Sequence, residues 1–514
     1  MTGFIKAFVT KAWFLLLVPV YFILHNFFLY HHVVDFSKLK GYVFFWLLFP
    51  LLTYGALWLR YRSKERTAAV WSLVILILFF FYSPIIKFFG TTKILFFLTK
   101  ISVILGLIIA FLLIIFIFAK RFNFEKSRLP GFIILLVSVL LVYEGGVYAY
   151  HKINGTADHL QLLTSAEEPQ LPTTAMKEKP DIFYIIFDEQ TSAKEAASFL
   201  RYNNSTLDLS LRNQSFFVSD SASSAYYYTA VALASVFRGS PFKEKQNKKA
   251  EMVGYQMALY NLAQNQFIPY LKENGYEIIN TAGYKLYNDE KVTPDKIERF
   301  GKFEQIVLNQ TFSERIQLQV MGIINDRYPQ LMKNSPALKT KLVRFQNKVG
   351  ENCNELLNAA ARKRTAPAFV YAHFSLPHLP VYFDSTGHSL TDDGYIEQNY
   401  KQNTHQAYMT NLGAARHFIL KLAKGIQERS NGNAVIIIQA DHGYRGSPKH
   451  PVPDSIKYSI FNAVYFPDKD YHLLSNSLYS VNTFRILLNK YAGAQLPLLV
   501  PQKNKTQTLL SDEE

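Results

Sequence analysis

Residues Asn433–His450 read NAVIIIQADHGYRGSPKH, and the fold turns on how this stretch is read. Ala434–Ile438 is a short, apolar, β-branched run, the pattern of a strand buried on both faces of a sheet. Gln439-Ala440 ends it, and Asp441, His442 and Gly443 follow at once. Open α/β sheets place their ligands beyond the C-terminal ends of their strands. A carboxylate and an imidazole emerging there together are therefore candidate metal ligands. Asp oxygen and neutral His nitrogen suit a zinc-like divalent ion, and Gly443 lets the backbone turn sharply beside it. A bare Asp-His-Gly fits equally well a strand-end turn capped by Asp, with His on the surface. The rest of the chain has to decide between the two.

Three further stretches bear on that decision. Asp181–Ser192, DIFYIIFDEQTS, is an apolar strand that ends in the acidic pair Asp188-Glu189. Either carboxylate, placed beside Asp441 and His442 in one sheet, supplies a missing anionic ligand. Ser221–Phe237, SASSAYYYTAVALASVF, is a Ser/Tyr-rich loop running into a helix, with Thr229 at or near the helix N-terminus. Unpaired N–H groups and the helix dipole there favour an anion, such as a metal-bound alkoxide or a phosphorylated threonine. Thr229 also fits a plain N-cap. Phe369–Asp384, FVYAHFSLPHLPVYFD, is a strand that delivers His373, followed by His378 in a loop closed by Pro377 and Pro380. His450, eight positions after His442, is a further candidate.

The 514 residues allow more than one domain, and the apolar ones are unevenly spread. Trp13–Tyr30, Gly41–Leu59, Ala68–Ile86, Ile101–Ala119 and Gly131–Tyr150 are apolar runs, each near the roughly twenty residues that span a bilayer. Five in succession, without a small-residue cleavage site after the first, predict a five-helix transmembrane domain over residues 1–150 rather than a signal peptide. Arg60, Arg62, Lys64 and Arg66 lie between the second and third runs, and Lys120, Arg121, Lys126 and Arg128 between the fourth and fifth. Basic loops stay in the cytoplasm, so with Lys6 and Lys11 also inside, everything after Tyr150 lies outside. Lys38, Lys40, Lys87 and Lys93 in the other loops dilute the bias. Glu144 falls inside the fifth run, near its outer end, which suits an interfacial position.

The formal net charge is +16. The positive loops explain part of it, and the remainder favours an anionic membrane surface or a phosphate-bearing substrate over nucleic acid. Cys353 is the single cysteine, which rules out an internal disulfide. An outward-facing domain without disulfides suits a bacterium. Residues 151–180, polar and carrying Pro169, Pro172 and Pro180, read as a juxtamembrane linker, and residues 501–514 as a polar tail. Between them, residues 181–500 alternate strands and helices. The strands are Ile182–Phe187, Phe216–Ser219, Tyr276–Asn280, Ala368–His373, Ala434–Ile438 and Phe461–Phe466. The helices are Tyr255–Asn274, Met409–Arg429 and Val481–Tyr491. This predicts an α/β sandwich on a mostly parallel sheet. Lys243–Lys249 and Asn309–Val349 read as surface insertions.

The order strand–Asp-Glu, loop–Thr–helix, HxxxxHxP and strand–Asp-His-Gly resembles the alkaline phosphatase/sulfatase superfamily. With five spans ahead of that domain, the chain is most similar to membrane phosphoethanolamine transferases and sulfatase-like hydrolase/transferases. The resemblance implies an alkaline-phosphatase-like fold and a divalent metal, zinc with manganese or magnesium as alternatives. It implies Thr229 as nucleophile and further ligand. Asp188 or Glu189 becomes the strand-one ligand and Asp441 with His442 the ligand pair, while His373 and His378 fall on the substrate side. His450 corresponds to a downstream histidine, at a shorter spacing than the family's. It further implies a membrane phospholipid donor, a glycan or glycolipid acceptor, and a bacterial inner membrane location with the catalytic domain outside the cytoplasm. Glycerol-phosphate transfer, phosphodiester or sulfate-ester hydrolysis, and a silent receptor on the same fold are the alternatives. The chain departs from the transferases in lacking their disulfides, with Ser235 where they carry Cys. It departs from true sulfatases in lacking C/S-x-P-x-R, since Cys353 begins CNELL.

Overall fold

The computed structural model describes residues 2–30, 34, 36–61, 64–90, 101–118, 123–154, 168–173, 175–242, 254–287, 305–401, 404–447 and 450–501. Lys243–Lys249, the tail from Gln502 onward, much of the linker and the basic residues Arg62, Lys120 and Arg121 lie outside them. The chain divides into two compact units, Met1–His159 with Gly301–Arg327, and Leu160–Phe300 with Tyr328–Glu514.

In the first unit every expected apolar run is helical where described: Leu17–Tyr30, Lys40–Arg60, Glu65–Phe80 with Tyr82–Gly90, Ile101–Phe118 and Leu129–Asn154. Among the described residues, three helical stretches are long and apolar enough to cross a membrane: Gly3–Tyr30, Phe36–Arg60 and Leu129–Tyr150. The third run is broken after Phe80, so neither of its helices meets that length. Glu125 accepts from the backbone N–H of Thr67 at 3.0 Å, and its carbonyl accepts from Arg66 at 3.1 Å. That contact brings Arg66 and Thr67 beside Glu125. Glu144 is paired within the bundle, to His25 Nδ1 at 2.8 Å and Tyr21 Oη at 3.0 Å. Residues of the expected surface insertion also belong here: Gln310 donates to the buried Asn26 Oδ1 at 2.7 Å.

The second unit is built on a six-stranded sheet. Its strands are β1 (Ile182–Phe187), β2 (Phe217–Val218), β3 (Glu277–Asn280), β4 (Ala368–Phe374), β5 (Val435–Gln439) and β8 (Asn462–Tyr465), in the order β2-β8-β5-β1-β4-β3. β5, β1, β4 and β3 run parallel; β8 is antiparallel to β5 and β2 to β8. Every residue of β1, β4 and β5 is buried, as their unbroken apolar runs require of a sheet covered on both faces. On one face Phe183, Ile185 and Phe187 pack into a core with helices Pro336–Ala361 and Thr404–Arg429. On the other, Tyr184 meets Phe237 and Phe484 from helices Thr229–Arg238 and Thr483–Ala492. A two-stranded ribbon, β6 (Gly446–Ser447) with β7 (His450–Pro451), follows the Asp-His-Gly turn.

Three expectations are corrected. Residues 336–349 do not sit in a surface insertion: helix Pro336–Ala361 buries Leu338, Leu342, Val349, Cys353 and Leu356 in the core, with Ser335 capping it through Leu338 N at 3.0 Å. Tyr255–Asn274 is two helices, Gly254–Ala263 and Phe267–Glu273. Asn265 divides them, donating to Leu262 O at 2.7 Å and accepting from Ile268 N at 2.9 Å. Gly443 is needed for clearance: a Cβ there would lie 1.9 Å from Ile456 O and 2.3 Å from Ser459 O.

Candidate metal centre

The three central strands end side by side, and each contributes a charged or imidazole group at that edge. β1 runs into Asp188 and Glu189, β4 carries His373 as its sixth residue, and β5 leads through Ala440 to Asp441 and His442. The register pairs Ile186 with both His373 and Gln439, so these groups lie at one level by construction of the sheet. Asp188, His373 and Asp441 are buried, with their ligand atoms all within 4.8 Å of one another. His442 joins them: Nε2 is 3.6 Å from Asp188 Oδ1 and 3.5 Å from Asp441 Oδ2. His373 Nε2 lies 3.5 Å from Asp188 Oδ2.

Backbone groups aim these side chains. His442 N and Glu189 N donate to Asp441 Oδ1 at 2.9 and 3.1 Å, which leaves Oδ2 turned into the cluster. His442 Nδ1 donates to Gly443 O at 2.9 Å, so Nε2 presents its lone pair to the site. Asp188 Oδ1 and Asp441 Oδ2 are buried and accept no hydrogen bond among the described residues. Two carboxylate oxygens left bare in the interior are costly unless a cation meets them. With the lone pair of His442, they fit a divalent ion of the zinc kind. Burial pushes the Asp188 carboxyl up, but its histidine neighbours, His378 and His373 foremost, outweigh it. The group is held well below the usual carboxylate range.

Thr229 stands over this cluster. It is buried, it opens helix Thr229–Arg238, and its Oγ1 is 3.3 Å from His442 Nε2. The N-cap is Tyr228, without a side-chain cap bond, so the threonine hydroxyl faces this cluster rather than capping the helix. The other expected residues separate into different places. His373 belongs with the buried ligand atoms instead of a substrate rim. His378 lies at the more open side, 32% exposed, with Nδ1 on Leu379 O and Nε2 on Arg445. Glu189 turns its carboxylate to Arg445, accepting from its backbone N–H at 2.7 Å. His450 sits on β7 with its ring 5.4 Å from that of His405. Arg445 was not legible as a site residue from sequence: an arginine three positions after His442 reads as an ordinary loop charge. Asn411 was equally hidden mid-helix, yet it is fully buried and donates to the carbonyls of Pro377 and His378 at 3.1 Å each, holding the His378 loop.

A family model described as Sulfatase matches residues 180–508. No curated protein matches the chain. Among solved structures, the C-terminal periplasmic domain of EptC from Escherichia coli is 13% identical over 64% of this chain and 88% of that one, with a TM-score of 0.37. The C-terminal periplasmic domain of the phosphoethanolamine transferase EptC from Campylobacter jejuni is 13% identical over 66% of this chain and 96% of that one, with a TM-score of 0.34. A putative sulfatase, yidJ, from Bacteroides fragilis is 12% identical over 66% and 81% of the two chains, with a TM-score of 0.37. The matched residues run from the start of β1 past the last helix and take in every group of the metal centre, and on that match the chain belongs to the sulfatase family.

Proposed function

We propose that the chain is a membrane-anchored phosphotransferase. It moves a phospholipid head group of the phosphoethanolamine kind to a hydroxyl of a glycan or glycolipid, through a phosphothreonine at Thr229. The observation that carries this reading is the buried Thr229 hydroxyl, 3.3 Å from His442 Nε2 and turned away from the capping role that would otherwise explain it. Threonine cannot be oxidised to the aldehyde of a true sulfatase, whereas its hydroxyl is a competent phosphoryl acceptor. The apolar N-terminal helices keep the enzyme beside a lipid donor. In this reading they cross the bacterial inner membrane and leave the catalytic domain outside the cytoplasm.

Asp188, Asp441 and His442, with His373, would hold a divalent ion, which supplies a Lewis acid that lowers the pKa of the Thr229 hydroxyl. Thr229 Oγ1 attacks phosphorus; the P–O bond to diacylglycerol breaks as the Oγ–P bond forms, and the proton given up by the threonine hydroxyl balances the one taken up by the departing diacylglycerol oxygen. The uncapped first N–H groups of helix Thr229–Arg238 favour the negative charge on this oxygen and on the phosphoryl group. An acceptor hydroxyl then attacks the same phosphorus, and the Oγ–P bond breaks; the proton the acceptor loses balances the one that restores the Thr229 hydroxyl. His378, on the open side of the cluster, is placed to hold the oxygen that departs in the first half-reaction and the one that arrives in the second.

The test is to incubate the purified full chain with vesicles of head-group-labelled phosphatidylethanolamine or phosphatidylglycerol, without acceptor, and map the label. A peptide phosphorylated at Thr229 with phosphoethanolamine is expected. Label from phosphatidylglycerol instead would reassign the donor. Turnover of either lipid with no labelled threonine, and undiminished in Thr229→Ala, would leave a hydrolase that activates water.

A further inference from the structure

The metal centre does not account for Arg445. Its side chain is only 11% exposed, so its charge is largely removed from water and has to be compensated by neighbours. Glu189 is one: its Oε1 lies 3.6 Å from the guanidinium Nε and accepts the Arg445 backbone N–H at 2.7 Å. Tyr228 is another, with the guanidinium carbon 5.4 Å from its ring centre. A further partner is His378, whose Nε2 accepts from Nη2 at 2.8 Å. Tyr228 immediately precedes Thr229, and His378 occupies the open side of the cluster. The cation is thus fixed between the approach to the site and the residue beside the nucleophile.

The partners are unequal. Glu189 and Tyr228 fix the root and one face of the guanidinium. The imidazole of His378 is a neutral acceptor, weaker for a guanidinium than an anionic oxygen is. Meanwhile Asp188, Glu189 and Asp441 place three carboxylates around the point any phosphodiester must reach, one more than a divalent ion offsets, and the remaining negative charge repels an anion. A guanidinium at this position offsets that repulsion and offers donors in a planar fork that matches phosphoryl oxygens.

We propose that Arg445 is the anion receptor of the site. A non-bridging oxygen of the incoming phosphodiester displaces His378 Nε2 from Nη2, while Glu189 and Tyr228 keep the guanidinium in place beside Thr229. The same exchange releases the His378 ring to meet the oxygen of the leaving or entering group. The proposal rests on the phosphotransferase reading given above.

The experiment uses the full zinc-loaded chain in lipid nanodiscs and compares wild type with Arg445→Met and Arg445→Lys. Inorganic phosphate binding is measured by calorimetry, donor KM and kcat by head-group transfer, and zinc content and Tm alongside. Loss of a charged hydrogen bond to a desolvated anion should weaken phosphate about 10- to 100-fold in Arg445→Met. Lysine restores the charge but not the fork, and should recover part of that loss, leaving phosphate at least about threefold weaker than wild type. Donor KM should rise with zinc content unchanged. A structural tie would lower Tm and leave phosphate affinity alone. Wild-type affinity for phosphate in Arg445→Met overturns the proposal; if that variant does not fold, wild-type affinity in Arg445→Lys does so. Wild-type protein that neither binds phosphate nor labels Thr229 overturns the phosphotransferase reading itself, whereas labelled Thr229 with variants that bind phosphate normally overturns the role of Arg445 alone.

Discussion

Asp441→Asn should change stability in opposite directions with and without metal. In the wild type, Asp441 Oδ1 accepts the N–H groups of His442 and Glu189 at 2.9 and 3.1 Å. An asparagine carbonyl can keep both. Oδ2 lies 3.5 Å from His442 Nε2, is buried, and accepts no hydrogen bond among the described residues. In chelator, a buried charged oxygen without a donor costs about 1–3 kcal/mol. The asparagine removes that charge, relieves its repulsion with Asp188, and offers an N–H to the His442 lone pair. Without metal the variant should therefore be the more stable protein by about 1–3 kcal/mol, a rise of roughly 2–6 °C in Tm. With zinc the order should reverse. An ion at a thousand times its Kd stabilises by about 4.1 kcal/mol, more than the variant's advantage in chelator, and the variant, having lost the anionic ligand, forfeits most of that. The assay is thermal unfolding of the full chain in detergent, in chelator and across a zinc titration, with elemental analysis of the recovered protein. An asparagine variant that is less stable than wild type in chelator and still takes up zinc with undiminished affinity would refute the reasoning, because Oδ2 would then be neither orphaned nor a ligand.

Thr229→Ala should lose transfer by about 10⁴-fold or more, as removal of a nucleophile does, while stability falls by less than the roughly 1 kcal/mol that loss of a helix cap would cost, because no cap is lost; retained transfer in a folded variant would move the nucleophile elsewhere, to Ser223 or Ser224. Asp208, in the first turn of helix Ser205–Asn213, is raised to about 6, chiefly by burial, with Arg212 lowering it and Asp220 raising it. Its folded value lies above its unfolded one, so ionisation penalises folding increasingly from about pH 4 to about pH 6 and fully above. Asp208→Asn should then gain about 1–2 kcal/mol at pH 7.5 and nothing below about pH 4 in denaturant titrations; an equal gain at both pH values would acquit the carboxylate. Cys353 is buried in the core and its thiol is pushed up to about 12, again by burial, Lys421 opposing. Maleimide labelling of Cys353 at neutral pH should therefore follow global unfolding and be absent from the native protein.

The legible parts of the molecule are those where local chemistry and tertiary burial agree. β1, β4 and β5 are apolar runs with no competing helical period, so their positions could be read to within a residue or two. Because a parallel sheet aligns its strand ends, the acidic and imidazole groups following them could be assembled in advance. Helix Pro336–Ala361 was hidden because its buried positions, Leu338, Leu342, Val349, Cys353 and Leu356, are diluted by lysine, arginine, asparagine and glutamate. The direction of β8 was equally out of reach, since an antiparallel edge and a parallel one have the same composition. Within the site, residue types identified the candidate ligands, but the different settings of Asp188 and Glu189 depend on Arg445. Only the packing reveals that Arg445 lies within reach of Glu189 Oε1.

Gly443 bears on how genetic data around this centre would be interpreted. It has no functional group, yet the carbonyls of Ile456 and Ser459 would lie 1.9 and 2.3 Å from any Cβ placed there. Even alanine must therefore push back the 456–459 segment, whose Ser459 carbonyl accepts from Thr191, three residues beyond Asp188. A saturation-mutagenesis screen scored on transfer would rank Gly443 alongside Asp441 and His442 and invite a chemical explanation for it. Second-site suppressors would separate the two kinds of intolerance. Changes that loosen residues 456–459 can restore room at Gly443, whereas no rearrangement of that segment returns a carboxylate to position 441.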